Sequence, residues 1–145
     1  MKVLDELKLR VRAAGGPGGV ADYFHILLME GGLKAVIGFI DARPELLADL
    51  LPVVANPEAS MNVRFGAGAV IERYAGSKVL QAIVPRLGEL SKHADARVRA
   101  DACHYLGLSG CASARAYLDA RVDDENAEVR EIAADSLAEI AGTRE

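Results

Sequence analysis

The chain has no tryptophan, two cysteines, three histidines and five prolines in 145 residues, and only 5% of its side chains are aromatic. Each shortage excludes something. Two cysteines cannot supply the multi-bridge framework of a small secreted domain. The histidines, His25, His93 and His104, are dispersed and have no recognisable motif partners, so no nucleophile triad can be assembled and no catalytic residue is assigned. Sparse aromatics leave few stacking platforms for single-stranded nucleic acid. The longest run without a charged residue, 102–114, holds 13 residues, too few to cross a bilayer. The opening MKVLDELKLRVR mixes acids with bases and lacks the apolar centre of a signal peptide. A cytoplasmic location is the resulting expectation, with no membrane partner.

What is present points to packed helices. Hydrophobic residues make up 51% of the chain, too many for disorder. Alanine, leucine and valine dominate, as tight helix packing favours. A chain of this length is expected to form one domain over residues 1–145 and to bury roughly 68–70% of its extended surface. The formal net charge is −4. Residues 1–75 carry 8 basic and 9 acidic side chains, and residues 76–145 carry 9 and 12. That balance argues against nucleic acid and anionic membranes as partners.

One dipeptide returns in constant surroundings: Val63-Arg64, Val98-Arg99 and Val129-Arg130. The steps of 35 and 31 residues are those of a helical repeat. Four residues past each Val stands Ala67, Ala102 or Ala133. The next position is Gly68, Cys103 or Ala134, and eight past the Val stands Ile71, Leu106 or Leu137. Val, small, large at this spacing is one helical face, and the small residues admit a close neighbour. Gly76, Gly110 and Gly142 are expected to end the three helices. Leu87 and Leu118, eleven before the last two Vals, belong to preceding helices. Each unit therefore reads as helix, turn, helix, with Val-Arg opening the second.

The segments DARVRADACHYLGLSG and NAEVREIAADSLAEIAG resemble HEAT repeats of the short bacterial type, also described as PBS-lyase HEAT-like. Asp95, Val98, Arg99, Ala102, Leu106 and Gly107 follow that pattern closely. The second segment lacks a glycine after Leu137, and the copy around Val63 diverges, with Glu72 in the glycine position. The resemblance covers roughly 56–142. It implies an all-α fold, a right-handed α-solenoid of about four stacked helical hairpins, with a divergent region over residues 1–55.

Helical periodicity predicts elements at 2–13, 20–29, 33–40, 44–54, 60–75, 78–91, 96–108, 112–122 and 127–141. The glycine run at 15–19 breaks the first, and residues 20–29 should be largely buried. Pro52 and Pro85 should kink their helices or shift a boundary. Residues 2–13 or another protein should cover the N-terminal pair, because an end unit needs a polar outer face. An uncovered end would favour a homodimer.

Three features invite a chemical reading. Gly66 to Ile71 superficially resembles a dinucleotide fingerprint, and residues 15–19 a phosphate loop, but neither has its strand–turn–helix context. Cys103, His104 and Cys111, with His93, carry zinc-binding side chains. Cys103 stands in the small-residue column, however, and adjacent helical residues do not converge, so no metal or cofactor is assigned. The arginines Arg64, Arg99 and Arg130 form a column. Guanidinium geometry suits a structural ladder to carbonyls or to acids of an adjoining repeat, with Asp95 and Asp124 as candidates.

In HEAT-like stacks the second helices line a face on which partners lie, so the resemblance implies a non-catalytic interaction or scaffold module. Positions three, six and ten past each Val turn away from the packed side. With their neighbour they give Arg73, Asp101, His104, Glu131, Asp135 and Glu139 as partner-binding residues. The stripe is mostly acidic and suits a basic or mixed protein surface. An accessory or chaperone of a lyase-like, cofactor-handling enzyme is the alternative, ahead of nucleic-acid binding.

Overall fold

The computed structural model describes residues 19–143. Among them every regular element is helical. In order these are α1 (Val20–Met29), α2 (Leu33–Ala42), a 3-10 stretch (Pro44–Leu50) leading into α3 (Leu51–Val54), and α4 (Met61–Arg73). Then come α5 (Lys78–Gln81), α6 (Val84–Leu90), α7 (Ala96–Leu108), a 3-10 turn (Ala112–Ala114) leading into α8 (Arg115–Asp119), and α9 (Ala127–Thr143). The helix expected at 2–13 and most of the glycine run lie outside the described residues. The chain divides into two compact units, Met1–Val70 and Ile71–Glu145.

In the first unit, α1 packs on α2 and on the Pro44–Leu50 stretch. Phe24, Phe39, Ile40, Leu47 and Leu50 form its core, with the Phe24 and Phe39 rings 6.5 Å apart. The helix at 20–29 is buried on one face only, through Ala21, Phe24 and Leu28. Ile26 is 41% exposed and Met29 61%, so the expectation of a largely buried helix is corrected. Met61 and Phe65 are also exposed.

The prolines shift boundaries. Pro52 lies at the start of α3 and Pro85 at the start of α6. A proline has no N–H to donate and its ring clashes with the carbonyl four residues back, so it opens a helix more easily than it continues one. The expected 44–54 and 78–91 helices are each split for this reason. Gly38 lies within α2, exposed, and a Cβ there would meet nothing within 4 Å. Gly38→Ala should therefore stabilise the protein by about 0.5–1 kcal/mol through helix propensity, read as a higher urea midpoint.

In the second unit, α7 packs on α6 and most extensively on α9, while α8 packs on α9. Leu87 of α6 and Leu118 of α8 are fully buried, as their repeat position predicts. Gly76 and Gly110 turn the chain with φ of +72° and +63°, a conformation that glycine adopts without strain. Gly142 does not end its helix, because α9 continues to Thr143.

The three long helices α4, α7 and α9 share their buried positions. Val63, Ala67, Val70 and Tyr74 match Val98, Ala102, Tyr105 and Ser109, and then Val129, Ala133, Ser136 and Ile140. This is the i, i+4, i+7, i+11 stripe of an amphipathic helix. The column after the alanines behaves differently: Cys103 is buried, Gly68 is half-buried and Ala134 is exposed. Helix α7 packs against α6 and α9 and buries a second face, whereas α9 leaves that side open.

Candidate functional site

Each Val-Arg pair sits at the same place in its helix because the residue three before the Val caps it. The Ser60 hydroxyl accepts from Val63 N–H at 3.3 Å. An Asp95 carboxylate oxygen accepts from Arg97 N–H at 2.8 Å and Val98 N–H at 3.3 Å. The Asn126 side-chain oxygen accepts from Glu128 N–H at 2.9 Å and Val129 N–H at 3.1 Å. Such a cap satisfies a backbone donor that the first helical turn leaves open and contributes about 1 kcal/mol. Three chemically different residues fill one role, so matching residue types along the sequence does not reveal it. Asp95 is thus a cap, and it is not the acid that pairs with Arg99.

That acid is Asp124, in the loop before α9. Arg99 Nε and Nη2 donate to its two carboxylate oxygens, both at 2.9 Å. Arg99 Nη1 also donates to the His93 and Ala94 carbonyls, each at 3.0 Å. Side-chain exposures are 7% and 3%, so the bond ties two consecutive repeats in a water-poor setting. The Arg99 guanidinium, with a second cation at Arg121, holds the Asp124 carboxyl below the usual carboxylate range against the opposing effect of burial. Arg121 Nη1 donates to Asp124 at 3.2 Å, while its Nε is buried with no partner. Arg130 repeats half of the arrangement, donating from Nη1 to the Asp124 carbonyl at 2.7 Å and remaining exposed. Arg64 is half-buried and has a partner of its own.

The candidate partner-binding residues fall along α4, α7 and α9. Glu131, Asp135 and Glu139 are exposed at four-residue spacing along α9, a single line on the helix. Arg73 is exposed at the end of α4. Asp101 and His104 on α7 are half-buried. His104 Nε2 approaches a carboxylate oxygen of Glu72 at 3.7 Å, with 45% and 59% of the two side chains in water. Such a contact contributes little.

A recess of about 380 Å³ opens at the carboxy end of these helices, beside Leu108 and Glu139. Leu108 occupies the same repeat position as Arg73 and Glu139, ten past its Val. Sequence reading missed the recess, because turns and helices from different repeats form it.

The cysteines do not converge on a reactive centre. Cys103 is fully buried, and burial pushes its thiol up to about 11, so it stays protonated at neutral pH. Cys111 is half-buried, its Sγ 3.0 Å from the Ser113 hydroxyl. Among the described residues no group of three His, Cys, Asp or Glu side chains is placed to hold a metal ion. None of the described helices is long and apolar enough to cross a membrane.

The Val-Arg helices share side-chain caps and a buried stripe, and the Arg99–Asp124 clamp joins two repeats. Residues 84–145 match the family model for HEAT repeats. Over this stretch the chain is similar to HEAT repeats. The match begins at α6 and takes in both the Arg99–Asp124 bond and the acidic line on α9. HEAT repeats are generally protein-interaction or scaffold modules and are typically non-catalytic. No curated protein and no solved structure matches the chain.

Proposed function

We propose that this protein is a non-catalytic interaction module that docks another protein on the free face of its Val-Arg helices. The observation that carries the reading is the two-sided character of α9. One side buries Val129, Ala133, Ser136 and Ile140. The other holds Glu131, Asp135 and Glu139 in water. A surface line of one charge sign steers and orients a partner of the opposite sign more than it stabilises the fold. The partner surface is therefore basic or mixed.

The test is affinity capture from the source cell with a charge-reversed control, Glu131→Lys/Asp135→Lys/Glu139→Lys. All three residues are exposed, so the variant should keep its melting temperature to within a few degrees. The expected result is one partner retained by the natural chain and lost by the variant. Equal capture by both proteins would overturn the docking face. If the partner proves to be an enzyme whose turnover changes on reconstitution, the module serves as an accessory subunit.

A further inference from the structure

We infer that the recess at the carboxy ends of the Val-Arg helices is a socket for a lysine or arginine side chain of the docked protein. This rests on the docking reading above and adds the chemistry of the partner's anchor. The recess is bounded by Ala75 and Gly76 after α4, Gln81 of α5, Leu108 and Gly110 at the end of α7, and Glu139 of α9. Its lining is more apolar than polar. Long basic side chains suit such a place, because their methylene stems cover carbon while the charged head reaches a polar group.

The charge on the lining decides the sign of the ligand. Glu139 is the one ionisable residue among those lining the recess. An anionic group would face that carboxylate with no lining cation to neutralise it. The backbone favours the same sign. Helix α7 ends at Leu108, and the carbonyl end of a helix carries partial negative charge. The rim is also held in place before any partner arrives. The Leu108 carbonyl accepts from Gly76 N–H at 2.8 Å, and the Ser109 carbonyl accepts from the Gln81 side-chain amide at 3.1 Å. A rim already fixed loses less entropy on binding.

Position in the repeat supplies an independent argument. Leu108 and Glu139 belong to the row ten past the Val, the row that also sets the end of the acidic stripe. From Glu139, Asp135 and Glu131 continue one and two turns back along α9. A basic segment anchored in the socket and laid along α9 would therefore meet successive carboxylates. A single anchor flanked by weaker contacts is the usual division of energy in an interface.

Amide-resolved NMR titration with three small probes tests the socket: acetyl-arginine methylamide, acetyl-norleucine methylamide and acetyl-glutamate methylamide. The arginine probe should shift the amides of Gly76, Leu108, Ser109, Gly110 and Glu139 saturably. Norleucine should do so more weakly, and glutamate should not. Glu139→Gln should weaken the arginine probe roughly fivefold, with the rest of the spectrum unchanged. Equal shifts from the glutamate probe, arginine shifts centred elsewhere, or no effect of Glu139→Gln would each overturn the socket. Partner capture lost on charge reversal while the arginine probe leaves these amides unmoved overturns the socket alone. Capture that survives charge reversal overturns the docking face, and the socket's assigned occupant with it.

Discussion

Replacing Arg99 by methionine will destabilise the protein by about 3–5 kcal/mol, the cost of leaving one partner of a buried ion pair without the other. Asp124 would then keep Arg121 Nη1 at 3.2 Å and the Asn126 N–H at 2.9 Å, with 3% of its side chain exposed. The His93 and Ala94 carbonyls would lose a donor as well. For a chain of this size the melting temperature should fall by about 10 °C or more. The double variant Arg99→Met/Asp124→Leu should lose less than the sum of the single variants, because an apolar pair leaves no orphaned charge. A loss below about 1 kcal/mol for Arg99→Met would show that the clamp is solvated. The pH dependence carries the same signature. Asp124 has its carboxyl held below the ordinary value, so its contribution is complete above about pH 4 and is lost as pH falls through the folded value. Arg99 is shifted upward from an already high value and stays charged across that range. Urea unfolding between pH 3 and 7 should show an acid limb for the natural chain that is shallower in Arg99→Met. With Arg99 gone, the largest cause of the Asp124 depression is removed, and the acid limb shrinks with it.

The sequence made the helices legible where periodicity and repetition agree, and it failed where neighbours decide. Helix α7 was placed at 96–108 because its Val-Arg start and its glycine stop fall in register. The split of residues 78–91 was only half visible. Pro85 signals a boundary, but its position as the end of one helix or the start of the next depends on packing. Copying burial down a column also failed at Ala134, since its equivalent Cys103 owes its burial to the elements around α7. For the arginine column, composition offered two acids, Asp95 and Asp124. Both are spaced plausibly, and only the fold assigns one to the helix cap and the other to the guanidinium. The socket was the least legible. Its walls come from residues as distant as Ala75 and Glu139, and its depth depends on turns that lack side chains.

Gly107→Ala should run against the usual benefit of alanine in a helix. Elsewhere that exchange gains roughly 1 kcal/mol, as expected for Gly38. At Gly107 a Cβ would stand 2.7 Å from the Ser136 Cβ and 3.0 Å from its Cα. The obstructing atoms include backbone, so no flexible tip can swing aside and α9 must move away from α7. Overpacking of this kind costs about 1–3 kcal/mol, which outweighs the propensity gain. The larger Gly107→Leu should cost more, read as a stepwise fall in the urea midpoint. The displacement has a second readout. The same helix carries Glu139 of the recess, and Asp124 lies just before it in the Arg99 clamp. Gly107→Ala should therefore shift the amides around Gly110 and Glu139 even where the protein remains folded. Ser136→Gly removes the nearest side-chain atoms and should recover part of the loss in the double variant, giving a coupling that two independent sites would not show. An alanine at 107 that leaves both the midpoint and those amides unchanged would mean that α7 and α9 do not approach this closely in solution.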